Sequence, residues 1–190
     1  MLTTILAYFL IILFSLTEGR LRKGQAAQSF SAVESDRRST RRLGAAYGVA
    51  ILLLLFAPLL NILSPGHIRY ASVGWIGLAI SLAGYGLRVW ANLVLGEFYT
   101  RTLQVQENQF IVQYGPYRFI RHPGYLGTIL MWSGAGLAAV NWIITLFILV
   151  ILITAYHYRI QTEEAMLQAR LGEPYSNYQA HTWRLLPFVY

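Results

Sequence analysis

Cysteine is absent from this 190-residue chain. That excludes disulfides, thiolate metal sites and cysteine nucleophiles, and leaves the redox compartment unmarked. Charge is scarce too, at 12% of residues, where a soluble domain carries about 25%. With 56% hydrophobic residues and a mean hydropathy of +0.46, the chain holds more apolar surface than a soluble fold of this length buries. No Gly-x-Ser-x-Gly, Walker A or Gly-x-Gly-x-x-Gly run occurs, so a nucleophile elbow, a P-loop and a Rossmann fingerprint are excluded. His67, His157 and His181 share no ligand-like spacing with one another or with an acid, and no metal is expected. Acidic residues are few, eight against fifteen Lys and Arg, for a net charge of +7. The basic residues are localised in a way that points to topology and anionic headgroups, and no nucleic-acid partner is expected.

Long apolar runs are what the chain does have. A spanning helix needs roughly 20 mostly apolar residues. Five segments approach or meet this: 2–17, 43–63, 70–95, 124–140 and 142–158. The first has no basic n-region and no small-residue cleavage site, so it reads as a retained helix rather than a signal peptide. Pro58 falls inside the second, where a membrane helix tolerates it. Gly74, Gly77, Gly84 and Gly86 in the third permit close helix approach. Only Asn141 separates the last two, which predicts a tight helical hairpin. The expected fold is therefore an all-α, multi-pass integral membrane protein of about five transmembrane helices.

Charge orients it. Segment 18–42 holds seven basic residues (Arg20, Arg22, Lys23, Arg37, Arg38, Arg41 and Arg42), the third-to-fourth link holds Arg101, Arg118 and Arg121, and the C-terminal segment holds Arg159, Arg170 and Arg184. Five spans put all three segments on one side. The positive-inside rule makes that side cytoplasmic, with the N-terminus outside; the membrane would be the plasma (inner) membrane in a prokaryote. Segment 18–42 reads as a basic tether on anionic lipid. The chain divides at 95/96 into N-terminal helices and a C-terminal core, 96–190.

Polar residues concentrate in two cytoplasmic stretches of that core. One ends Tyr114-Gly115-Pro116-Tyr117-Arg118-Phe119-Ile120-Arg121-His122-Pro123-Gly124-Tyr125. Pro123 suits the first turn of a helix and holds His122 extended. The fourth helix then starts there, with its unpaired N–H groups at the membrane surface beside Arg121 and His122. In the other stretch Arg159 and Glu163 stand four apart, on one face of a continuing helix, with Glu164 about 100° round. Gly172 reads as that helix's C-cap. A surface ion pair or headgroup anchor would use such residues, but ionisable groups at a membrane edge carry a higher functional prior.

Together these stretches resemble the isoprenylcysteine carboxyl methyltransferase family and its small prokaryotic relatives. The likeness rests on Gly115-Pro116-Tyr117, then Arg121-His122-Pro123-Gly124-Tyr125-Leu126-Gly127. A helical hairpin follows, then Arg159, Glu163-Glu164, Gly172-Glu173-Pro174-Tyr175, Tyr178 and Arg184-Leu185-Leu186-Pro187. The resemblance covers about residues 90–190. It implies a methyltransferase that takes S-adenosylmethionine from the cytoplasm and methylates a lipophilic acceptor from the membrane. It also implies roles. Gln109, Ile111, Val112, Gly115, Tyr117, His122, Pro123, Tyr125, Glu163 and Glu164 would hold the cofactor. Arg121, Arg159 and Glu163 would be catalytic, with one arginine orienting the acceptor and the other serving structure or cofactor.

Relatives often have His where Gln109 stands. A carboxylate acceptor, as on a prenylated cysteine, is already anionic at pH 7 and requires no base. A phospholipid amine requires one, such as His122, Glu163 or Glu164, and a thiol is a further alternative. Sterol reductases share the Arg184-x-x-Pro187 ending but lack the full Arg-His-Pro run; an NADPH enzyme of that kind, or a non-catalytic membrane module, are the remaining alternatives.

Overall fold

A computed structural model describes residues 1–21, 36, 38–63, 66–96 and 110–190. Gln109, Arg22, Lys23, Arg37 and Arg101 fall outside the described residues. The elements among the described residues are helical: α1 (Leu2–Leu21), α2 (Ser39–Ile62), α3 (Ala71–Leu95), a 3-10 turn (Gly115–Arg118), α4 (Pro123–Ala138), α5 (Trp142–Leu171) and α6 (Glu173–Ala180). Strand-like pairing among the described residues is confined to two isolated bridges, His67 with Asn141 and Ile120 with Trp183.

Four helices, α1, α2, α3 and α5, are long and apolar enough to cross a membrane. α4, the fourth of the five expected spans, has 16 residues, about 24 Å at 1.5 Å per residue. It is short because Pro123 fixes its start and the hairpin turn fixes its end. At that turn Val140 takes a left-handed backbone (φ 52°), and the Asn141 side chain caps α5 by accepting the Ile144 N–H at 3.0 Å. Asn141 also donates to Asn61 at 2.8 Å, and Asn61 donates to the Ala139 carbonyl at 2.8 Å. These bonds tie the α2 end to the hairpin. At the opposite end α5 continues well past the expected 158. Its 30 residues reach about 45 Å, more than a hydrocarbon core of about 30 Å requires, so its last turns project from the bundle. Gly172 (φ 60°) ends it, with its N–H on the Gln168 carbonyl.

α3 and α4 form the tightest seam. A Cβ on Gly134 would lie 2.5 Å from the Ser81 nitrogen, and one on Gly127 would lie 2.7 Å from the Arg88 nitrogen. Gly77 and Gly84 face the backbones of Ala138 and Met131 in the same way. Two glycines seven residues apart on each helix thus let the backbones touch, the small-residue packing that stands in for hydrophobic drive inside lipid. Gly86 points into open space. Around this seam Ala50, Leu54, Met131, Trp132, Ile144, Ile148 and Leu152 fill the centre of the bundle.

A buried ion pair braces the same seam. Arg88 Nε donates to Glu18 Oε1 at 2.8 Å, and Asn92 donates to the same oxygen at 3.1 Å. Both charged side chains are under a tenth exposed. Glu18 lies beyond the predicted first span, yet α1 carries it inward to meet the one charge of α3. A Cβ on Gly124 would come within 3.1 Å of Arg88 Nη1, so the pair packs under the first turn of α4.

Gly84→Leu is expected to lower thermal stability in detergent by about 1–3 kcal/mol or more, the cost of forcing volume into a packed seam. Gly86→Leu, two residues away, should leave the melting curve unchanged.

Candidate active site

The site forms where the polar end of α5 meets the first turn of α4. The Pro116 and Pro123 breaks produce the local shape. Between them Arg121 N–H donates to the Trp183 carbonyl at 2.8 Å, His122 N–H to the Arg184 carbonyl at 3.2 Å, and Trp183 N–H back to the Phe119 carbonyl at 3.0 Å. The C-terminal segment is thereby stitched to the approach to α4. The Tyr178 hydroxyl adds a bond to the Tyr117 carbonyl at 2.7 Å, fixing the 3-10 turn against α6. Val112 and Tyr117 are buried with Ala91 against Val94 and Leu95. Gly115 (φ 61°) packs on Val94, where a Cβ would lie 3.0 Å from a methyl. Ile111 is half-buried at the start of this path.

Two carboxylates one residue apart face different surroundings, as the 100° step around a helix requires. Glu164 turns inward. It accepts Arg121 Nε at 2.8 Å and Arg184 Nε at 2.9 Å, and lies 3.2 Å from His122 Nε2. Arg121 is also spent on the C-terminal segment, donating to the Gln179 carbonyl at 3.1 Å and to the Thr182 carbonyl and hydroxyl. Arg121 and Glu164 are thus both in the cluster the sequence predicted, but they close the joint between α4, α5 and α6.

Glu163 turns outward and keeps 29% of its side chain exposed, against 6% for Glu164; of the two acids it is the one a ligand can reach. The Tyr125 hydroxyl donates to Glu163 Oε2 at 2.6 Å and accepts Arg159 Nε at 3.0 Å. The expected Arg159–Glu163 relation on one helix face therefore runs through a tyrosine from α4. His122 stacks on Tyr125, with centroids 5.3 Å apart and planes 2° apart, and its Nδ1 lies 3.8 Å from Glu163. His122 and Pro123 are buried at the helix start.

Arg159 gains partners that sequence reasoning missed. Its Nη1 donates to Ser39 Oγ at 3.1 Å and Thr40 Oγ1 at 3.2 Å, and lies 3.9 Å from Asp36 Oδ1. Asp36, fully buried, accepts the Ser39 hydroxyl at 2.7 Å and the Thr40 N–H at 3.1 Å. The segment read as a lipid tether thus ends inside the site. The signal that could have found it is an acid three residues before Ser-Thr at the head of an apolar run, a helix-start pattern.

Burial raises the phenol pKa of Tyr175 and Tyr178, and for Tyr175 the Glu164 and Glu163 charges push further the same way. Both stay neutral at physiological pH, where Tyr178 acts as a hydrogen-bond donor. Beside α6 an open polar cleft of about 480 Å³ is lined by Gln113, Arg118, Asn177, Tyr178 and His181 among others. None of its lining residues belongs to the predicted set.

Comparison with known proteins bears on family and fold. The model of the isoprenylcysteine carboxyl methyltransferase family matches residues 75–169. A protein of Arabidopsis thaliana named protein-S-isoprenylcysteine O-methyltransferase A is 31% identical over 147 residues, 75% of this chain and 74% of its own. One of Oryza sativa subsp. indica, named a probable protein-S-isoprenylcysteine O-methyltransferase, is 27% identical over 145 residues, 73% of this chain and 76% of its own. The solved structure of the eukaryotic intramembrane Ras methyltransferase, an isoprenylcysteine carboxyl methyltransferase, superimposes with a TM-score of 0.69 at 23% identity. It covers 95% of this chain, which spans 64% of that protein. The fold is shared. The chain belongs to the isoprenylcysteine carboxyl methyltransferase family of membrane methyltransferases.

Glu164→Ala would leave the buried Arg121 guanidinium and the one-third-exposed Arg184 guanidinium without their acid. It is expected to cost about 3–5 kcal/mol, read as a lower melting temperature, with residues 173–190 becoming protease-sensitive first. Tyr125→Phe removes only a hydroxyl. It should cost about 1 kcal/mol while uncoupling Arg159 from Glu163.

Proposed function

We propose that this chain transfers the methyl group of S-adenosylmethionine to the carboxylate of a lipophilic acceptor, a prenylated cysteine or a close analogue, at the cytoplasmic face of the membrane. The observation that carries this reading is the Arg159–Tyr125–Glu163 chain beside His122, at the membrane edge of a bundle belonging to this family. The curated relatives are named for the same acceptor class.

The residues present fit the cofactor. It is a cation at both its sulfonium and its ammonium, and Glu163 offers a partly exposed carboxylate for it. The 111–117 path has buried apolar side chains in Val112 and Tyr117, with backbone groups able to meet an adenine edge. His122, Pro123 and Tyr125 close the site on the membrane side. When bound, S-adenosylmethionine supplies an electrophilic methyl group.

What the protein must add is alignment and exclusion of water. An ionised carboxylate attacks without losing a proton; its oxygen gains the carbon and sulfur keeps the bonding pair. Arg159 serves as the acceptor's orienting group. Its guanidinium is already positioned by Tyr125, Ser39, Thr40 and Asp36, so little reorganisation remains for the reaction. Arg121 and Glu164 are positioning residues that hold the C-terminal segment over the site.

Titration calorimetry with S-adenosylhomocysteine, in detergent or nanodiscs, tests the cofactor. Absence of binding would sink the reading. Radiolabelled methyl donor offered to a prenylcysteine panel and to total membrane lipids tests the acceptor; label in a phospholipid amine would replace the carboxylate. Arg159→Ala is expected to lower turnover by about a hundredfold or more, the scale of losing one preorganised charge-stabilising group, with cofactor affinity kept. An unchanged rate would remove Arg159 from the site.

A further inference from the structure

The eight residues 183–190, Trp-Arg-Leu-Leu-Pro-Phe-Val-Tyr, are too apolar for a cytoplasmic tail. Leu185 is buried in the main core. Phe188 is 87% exposed, Val189 76% and Trp183 42%. Trp183 and Phe188 touch, with ring centroids 5.3 Å apart. Phe119, 61% exposed, lies in the strand-like stretch that pairs with Trp183.

The path of the segment identifies what covers this patch. Arg184 is held by Glu164, and the Tyr190 hydroxyl lies 2.8 Å from His157 Nδ1. Arg184 also donates to the Tyr190 hydroxyl at 3.0 Å, and the Leu185 and Leu186 N–H groups donate to the Tyr190 carbonyl at 2.7 and 2.8 Å, so the segment folds into a closed loop. Its Tyr190 side chain reaches His157, seven residues or about 10 Å of rise before Glu164 on α5, near the expected end of the span. Below that level the outer face of α5 is Val150, Phe147 and Leu146, each about half exposed as a lipid-facing surface is. The aromatic patch of Trp183, Phe188 and Phe119 belongs to the segments held against this end of α5. Arg118 borders it, exposed, with its guanidinium 5.8 Å from the Phe119 ring. Exposed aromatics with an arginine at the edge of a span are the composition of a membrane–water interface.

We infer that residues 183–190 form an interfacial membrane-binding element. Phe188, Val189 and Trp183, with Phe119, lie at the headgroup–acyl boundary of the bilayer that α5 crosses, and Arg118 meets the phosphates. The inference requires that α5 spans a bilayer; it does not depend on methyl transfer. Its consequence for the site is direct, because Arg184 joins this element to Glu164. The bilayer then holds the segment that closes the candidate active site.

The absence of cysteine makes the test clean. Single variants Phe188→Cys and Val189→Cys, both at exposed positions, are spin-labelled in the full chain in nanodiscs. Relaxation by oxygen, which partitions into lipid, is compared with relaxation by water-soluble nickel chelate. Val150→Cys on the lipid face and Ala169→Cys on the projecting end of α5 calibrate the two environments. Labels at 188 and 189 are expected to follow 150, with the oxygen-to-nickel ratio above one. Ratios below one, following 169, would overturn the inference, whatever the outcome with S-adenosylhomocysteine.

Discussion

A single buried carboxylate holds the described half of this molecule's polar end together. Glu164 receives Arg121 from the approach to α4 and Arg184 from the C-terminal segment, and it contacts His122 at the helix start. A charge so placed is tolerable only when its partners surround it. The partners come from two stretches of chain, Arg121-His122 before α4 and Arg184 in the C-terminal segment, so satisfying the charge joins both to α5. Once Glu164 is committed to structure, the neighbouring Glu163 is left facing outward, where a ligand can reach it. The adjacent pair in the sequence is therefore a division of labour imposed by helical geometry.

Much of this was legible. Apolar runs located the helix starts and most helix ends to within a few residues, since length and hydropathy dominate in lipid; the polar continuation of α5 to Leu171 carries no such signal. Arg121, His122, Tyr125, Arg159, Glu163 and Glu164 do gather in one place. The i, i+4 relation of Arg159 and Glu163 was readable, but the tyrosine between them was not, because it arrives from another helix. Asp36, Ser39 and Thr40 were hidden by the surrounding Arg, Gln and Ser composition, which looks like solvated tether. Glu18 was hidden because it follows the apolar run whose partner, Arg88, lies seventy residues away. Pairings at such separations carry no local signature.

The basic side consequently has two kinds of residue. Arg20, Arg41 and Arg42 are available to headgroups in the ordinary topological way, Arg42 also lying 3.9 Å over the Tyr158 ring. Arg121 and Arg159 are buried or nearly so, each in a network with an acid or hydroxyl. Counting charges gives an expected orientation. Only their burial separates the anchors from the groups that build the site.

The shortness of α4 has an implication for kinetics. A helix of about 24 Å cannot bridge a hydrocarbon layer of about 30 Å, so its first turn, with Tyr125 and the stacked His122, starts beneath the headgroup plane if its far end reaches the opposite surface. An acceptor bearing an acyl or prenyl chain would then meet the guanidinium of Arg159 without being lifted from its leaflet. Encounter becomes a two-dimensional search. On the proposed function, the governing variable would be the mole fraction of acceptor in the bilayer rather than its molarity in the tube, and adding inert lipid would slow the reaction at constant total substrate.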